Sequence, residues 1–218
     1  MSFRSACFYR LCRHVLIGPA LYLHGRPKIE GREHIPREGP VILAANHLAV
    51  VDSFYLTLAA RRQVAFLAKR EYFRGWKRWF FTAAGQIPVD RRGGSTAAPA
   101  LETAVRLIER GRAWGIHPEG TRSPDGRLYR GRTGAVRVAI ATGAPLVPVA
   151  ITGTAPGTPW RRRRVTIEIL PPLSLPRGIG VRPATDLLMH TIGARTGQSY
   201  VDAYAGPGRP PAESVEAA

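Results

Sequence analysis

With 218 residues, 44% hydrophobic and 22% charged, the chain has material for one well-buried domain, and its composition excludes a disordered or fibrous polypeptide. Thirty-two Lys and Arg against 15 Asp and Glu leave a net charge of +17, so the surface must attract anions: nucleic acid, phospholipid headgroups or phosphorylated substrates. Cys7 and Cys12 are the only cysteines, which excludes a disulfide framework or a Cys-rich zinc site and points to a reducing cytoplasmic setting.

From the N-terminus, Phe8, Leu11, Cys12, Val15 and Leu16 recur at helical spacing among Arg4, Arg10, Arg13 and His14, the pattern of a basic amphipathic helix. Residues 1–25 are therefore expected to hold a helix that lies on a membrane or packs on the core. The apolar stretch Val15–Leu23 contains Gly18-Pro19 and falls short of the roughly 18 residues that a span needs. No small-x-small cleavage site follows it, which argues against a signal peptide.

From Pro40 onward, short apolar runs alternate with helical patterns. Strands are predicted over Val41–Ala45, Val64–Ala68, Gln86–Val89, Arg112–Ile116, Leu146–Ile151 and Val165–Leu170, with helices near 52–61, 71–83, 96–110 and 133–142. This alternation predicts an α/β fold: a single domain over 26–204 with a mainly parallel central sheet flanked by helices, preceded by the N-terminal amphipathic helix. A last helix is expected near Ala184–Gly193, and 205–218, rich in Pro, Gly, Ala and Glu, as a disordered tail. Within 70–81, Arg70, Arg74, Lys77 and Arg78 share one helical side, while Tyr72, Phe73, Trp76, Trp79 and Phe80 share the other. That division suits the headgroup boundary of an anionic bilayer, and equally an aromatic core stripe with a solvated charged face.

Residues fit for chemistry cluster just after predicted strands, the usual place for them in parallel-sheet proteins. In Asn46-His47-x4-Asp52, a neutral imidazole can take a proton from an alcohol while a carboxylate on its other nitrogen fixes the tautomer. Five residues apart on an ideal helix the two would diverge by about 140°, so His47 must sit in the loop or first turn. Asp52 also reads as the N-cap of a helix over 53–61, and His47 as a loop histidine. In His117-Pro118-Glu119-Gly120-Thr121-Arg122-Ser123, Gly120 permits a tight turn, Glu119 can accept hydrogen bonds from a polyol and Arg122 can fork onto a phosphate. Arg91, in Gly85-x5-Arg91, could also meet a phosphate or pair with Asp90. No His, Asp, Glu or Cys cluster has metal-ligand spacing, so no metal is expected.

Taken in order, these segments and Val147-Pro148-Val149-Ala150-Ile151 resemble the four motif blocks of the glycerolipid acyltransferase family, whose members include lysophosphatidic acid (1-acylglycerol-3-phosphate) acyltransferases. The resemblance covers about residues 25 to 172. It implies that His47 is the general base and Asp52 its orienter. It further implies that Arg91, Glu119 and Arg122 bind the glycerol phosphate part of the acceptor, that Gly120 and Thr121 shape that pocket, and that Lys69 contributes to substrate binding. The co-substrate would be acyl-CoA or acyl carrier protein, with no resident cofactor. The partners would be a lysophospholipid acceptor and an anionic membrane surface, placing a peripheral protein on the cytoplasmic face. Arg130-Gly131-Arg132-Thr133-Gly134 looks like the basic stretch before glycine that the family often has after its third block. Ala49 stands where many members have Ser, and His117 where many have Phe, departures that bear on acceptor or acyl-chain preference.

Three other readings compete. The same chemistry could act on glycerol 3-phosphate or another lysolipid. A nucleic-acid-binding protein would draw on the +17 charge and Arg161–Arg164, but no recognisable binding motif supports it. A non-catalytic lipid-binding relative is disfavoured because the base and its carboxylate are both present.

Overall fold

The computed structural model describes residues 17–69, 75, 86–89, 97–155 and 164–206. The amphipathic pattern before residue 17, most of the helix predicted over 71–83, Arg91, Arg161 to Arg163 and the tail beyond 206 lie outside the described residues.

In chain order the elements are α1 Gly18–Gly25, β1 Lys28–Glu30, a single 3₁₀ turn at Arg32–His34, β2 Val41–Ala45, α2 Asp52–Ala60, β3 Val64–Lys69 and β4 Ile87–Val89. There follow α3 Ala97–Glu109, β5 Ala113–Ile116, β6 Leu128–Tyr129, α4 Gly134–Thr142, β7 Leu146–Thr152, β8 Thr166–Ile169, α5 Val181–Thr196 and β9 Tyr200–Val201. Seven strands form one sheet in the order β1-β8-β7-β2-β5-β3-β4. Every neighbouring pair is parallel except β7 and β8, and β6 pairs with β9 apart from this sheet. The mainly parallel sheet with flanking helices is the α/β architecture that the sequence predicts.

The centre of the sheet is buried on both faces, which is why β2 reads Val-Ile-Leu-Ala-Ala with no alternation. Val41, Leu43 and Ala45 point towards Leu21 of α1 and Tyr55 and Leu56 of α2. Ile42 and Ala44 point the other way, towards Ala104 of α3, Val136 of α4 and Leu188 of α5. Tyr55, fully buried, fastens α1 to α2: its hydroxyl donates to Leu21 O at 3.1 Å and lies 2.9 Å from His24 Nδ1.

The strands match the sequence reading to within one or two residues, whereas α5 runs beyond both predicted ends. Pro183 reads as a stop, yet in the first turn of a helix it removes no hydrogen bond. Gly193 also reads as a stop, but it lies inside α5, where an added Cβ would sit 3.1 Å from Leu128 Cδ2; the helix ends at Gly197, in the left-handed conformation. Strands β1, β6 and β9 are two or three residues long, too short to show a period.

The parallel register decides where the chemistry gathers. Ala44 pairs with Ile116 and Ala45 with Val149, so the loops leaving β2, β5 and β7 emerge side by side at one end of the sheet.

Candidate active site

Because β2 ends at Ala45 and α2 begins at Asp52, His47 occupies the connecting loop, as the spacing of the pair requires. His47 Nδ1 lies 3.1 Å from Asp52 Oδ2. The same oxygen accepts the backbone N–H groups of Leu48 and Ala49, each at 2.7 Å, so the carboxylate ties up its own loop. The N-cap reading of Asp52 does not hold: Val51 takes that place, and Asp52 is the first helical residue, reaching backwards. Burial pushes its pKa up, but the hydrogen bonds from His47 and the Ala49 amide bring it below the ordinary carboxylate value. An ionised acceptor at Nδ1 keeps the His47 proton on that nitrogen and leaves the lone pair on Nε2. Among the described residues nothing bonds Nε2, and the side chain keeps 17% of its surface exposed.

Groups from the neighbouring loops hold the backbone of His47. Glu119, fully buried, accepts the His47 N–H on Oε1 at 2.8 Å and the Tyr129 N–H on Oε2 at 3.1 Å. Burial raises its pKa to about 7, against the pull of those two amides. The Ser123 N–H donates to His47 O at 2.8 Å. One residue earlier, Asn46 pairs with Ile151 of β7 as another strand residue would. Its Nδ2 donates to Ile151 O at 2.9 Å, its Oδ1 accepts the Ile151 N–H at 2.8 Å, and Nδ2 also reaches Gln198 Oε1 at 2.9 Å. Three of the four motif blocks therefore meet through hydrogen bonds around one histidine.

His117 leaves β5 beneath this loop. Its ring stacks on that of His47, with centroids 3.9 Å apart and planes 9° from parallel. Its Nδ1 lies 3.0 Å from both Ala45 O and Asn46 O, and its Nε2 lies 3.0 Å from Ser53 Oγ. Burial first, and the charge of His47 second, lower its pKa to about 4.

The turn then exposes basic groups. Gly120 has φ +78°, a left-handed conformation that glycine enters without penalty, and a Cβ there would lie 2.7 Å from Arg132 Nε. Thr121 is partly exposed beside it, and Arg122 is exposed. Arg132 donates its backbone N–H to Pro118 O at 2.7 Å and holds its guanidinium 5.2 Å from the centroid of Tyr204. Arg130 shares that ring at 5.7 Å but is paired with Asp202 at 3.4 Å. Among the described residues no carboxylate pairs with Arg122 or Arg132. Lys69 ends β3, with β5 between that strand and β2. Three contributors are not assigned to the site by the motifs: Asn46, His117, which reads only as a departure from the family's Phe, and Arg132, visible only as part of a basic stretch. Among the described residues no group of three His, Cys, Asp or Glu is placed to hold a metal ion.

A family model described as Acyltransferase matches residues 26–152. A 1-acyl-sn-glycerol-3-phosphate acyltransferase of Bacillus subtilis is 33% identical over 152 residues, covering 68% of this chain and 73% of that one. The protein of the same description from Limnanthes douglasii is 31% identical over 176 residues and 74% of this chain, which spans 59% of the plant protein's length. In fold, the chain matches the crystal structure of the 1-acyl-sn-glycerophosphate (LPA) acyltransferase PlsC from Thermotoga maritima. The TM-score is 0.65 at 24% identity, over 89% of this chain and 78% of that one.

Proposed function

Because the chain belongs to the acyltransferase family, we propose that it transfers a fatty acyl group from a thioester, acyl-CoA or acyl carrier protein, to the free hydroxyl of 1-acylglycerol 3-phosphate. The observation that carries this reading is the His47–Asp52 pair: Nδ1 is fixed against a buried carboxylate, and Nε2 has no partner among the described residues. Nε2 takes the proton of the acceptor hydroxyl as its oxygen forms a bond to the thioester carbonyl carbon. The carbon–sulfur bond then breaks, and the thiolate leaves and is protonated. Since a thiolate departs readily, catalysis rests on the base and on alignment of two lipids, and needs no covalent acyl-enzyme.

Exposed Arg122 and Arg132, flanking Gly120 and free of carboxylate partners among the described residues, suit the acceptor's phosphate. Exposed Tyr22 and Leu23 on α1, and Val50 in the His47 loop, leave apolar side chains for a bilayer. They support a peripheral protein on an anionic membrane, and no described helix is long and apolar enough to cross one. The decisive test is acyl transfer from a labelled long-chain thioester to lysophosphatidic acid, comparing the native protein with His47→Ala. Loss of transfer is expected, and equal rates would remove His47 from the mechanism. A panel with glycerol 3-phosphate and lysophosphatidylcholine tests the acceptor: the highest kcat/KM is expected with lysophosphatidic acid.

A further inference from the structure

We propose that His117 is a positioning residue for the proposed reaction: a neutral imidazole, held in place at both nitrogens, that forms the flat bed on which the His47 ring lies. The inference rests on His47 being the base. Its tautomer follows from its partners. Ala45 O and Asn46 O can only accept, so Nδ1 carries the proton and divides it between them. In the neutral ring Nε2 is then an acceptor, and the Ser53 hydroxyl donates to it. With both nitrogens engaged, His117 has neither a proton nor a lone pair to offer a substrate, so it is not a second acid or base.

What His117 offers instead is its face. Among the described residues the His47 ring's one hydrogen bond is to Asp52, which alone would let it rock about that bond and swing Nε2 away from the acceptor's oxygen. A parallel ring at 3.9 Å removes that freedom on one side. The bed is itself supported: Phe66 lies near-parallel to His117 with centroids 6.0 Å apart, and Phe66 fits because Gly115 has no Cβ, which would come within 2.4 Å of its ring. The Ser53 bond ties the bed to the first turn of α2, beside Asp52, so base, orienter and bed move as one unit. Neutrality matters as much as flatness. When His47 accepts the acceptor's proton it becomes cationic, and a second cation at stacking distance would oppose that step; His117, whose pKa desolvation lowers to about 4, stays neutral there.

The test compares His117→Phe, His117→Leu and His117→Ala in acyl transfer to lysophosphatidic acid, reading kcat, KM, the pH profile and the melting temperature. Leu and Ala should lower kcat by about 10- to 100-fold, with KM for both substrates within about twofold. Phe, planar and of similar size, should recover most of kcat and leave the acid limb of the profile in place. A Leu variant as active as the Phe variant would overturn the proposal, because volume alone would then suffice. So would a Phe variant whose acid limb moves by about one pH unit, which would mean that position 117 had carried charge. Nitrogen-15 NMR of the native protein near neutral pH checks the same point without any substitution: residue 117 should show a protonated Nδ1 and a bare Nε2, and the reverse tautomer would overturn it. These outcomes are separable from the base reading: an active His47→Ala enzyme sinks that reading, whereas an inactive one beside a fully active Leu variant sinks only this inference.

Discussion

The loops after β2 and β5 leave adjacent parallel strands at the same end of the sheet, yet they do different work. The β2 loop carries His47, the proposed base, and braces it from within through the Asp52 carboxylate. The β5 loop supplies Glu119, Ser123 and His117, which hold the first loop by its N–H, its C=O and its ring. Placing the His47 imidazole is thus divided between two segments some 70 residues apart in sequence. Precision at His47 comes from hydrogen bonds whose other ends are anchored elsewhere.

This division can be broken from either side. The largest effect is expected within the β2 loop. Asp52→Asn keeps the shape but removes the charge that holds the proton on His47 Nδ1, and kcat for acyl transfer should fall by about 10³- to 10⁴-fold with KM little changed. A fall of less than tenfold would mean that the loop orients His47 without its carboxylate. From the β5 side, Glu119→Gln leaves one acceptor where two are needed and sets an amide NH₂ against a backbone N–H. Stability should drop by about 1–3 kcal/mol in denaturant titrations. In the same variant kcat should fall about 10- to 100-fold. If only KM for the acceptor rose, Glu119 would be a substrate ligand and the holding role would pass to Ser123 and His117.

Smaller effects are expected at the rim. Arg122→Ala should raise KM for lysophosphatidic acid by about 10- to 100-fold, the cost of losing charge-assisted hydrogen bonds to phosphate, with kcat little changed. Arg132→Ala should do the same more weakly, because Arg132 also leans on Tyr204. An unchanged acceptor KM in the Arg132 variant would confine phosphate binding to the Gly120–Arg122 turn.

How much of this was visible in the sequence depends on what kind of interaction placed each residue. The parallel core strands announce themselves because burial on both faces forces continuous apolar runs such as Val41–Ala45. His47 and Asp52 are legible because their bond is local, five residues long. The clamp is not legible in that way. Glu119 and His47 are 72 residues apart, and Asn46 and Ile151 are 105 apart, so their meeting depends on strand order and register, which no local period encodes. Glu119 reads as a polar turn residue able to bind a polyol, whereas the fold turns it inward onto main-chain amides. For His117 the sequence shows only a residue standing where many family members have Phe; the carbonyls of Ala45 and Asn46 reveal which nitrogen holds the proton.

The smallest effect probes the opposing titrations of two groups within the β5 loop itself, His117 and Glu119. His117 has a folded pKa of about 4 against an ordinary 6.5, so between those values the unfolded chain binds a proton that the native state refuses. Its contribution to stability is therefore complete above pH 6.5 and is lost as pH falls towards 4. Glu119 works in the opposite sense. Its pKa of about 7 against an ordinary 4.5 means that the native state binds the proton first, so its contribution is present below pH 4.5 and is lost as pH rises towards 7. Across the overlap the two slopes oppose each other, and the native protein should show a shallow dependence. His117→Phe removes one slope, so the variant's stability relative to the native protein should rise as pH falls from 6.5 to 4.5, by at most about 1.4 kcal/mol per pH unit. Glu119→Gln should tilt the other way. Denaturant midpoints measured across this window decide the matter: tilts of the same sign in both variants would show that the two groups do not oppose each other, and that other residues set the acid stability of the clamp.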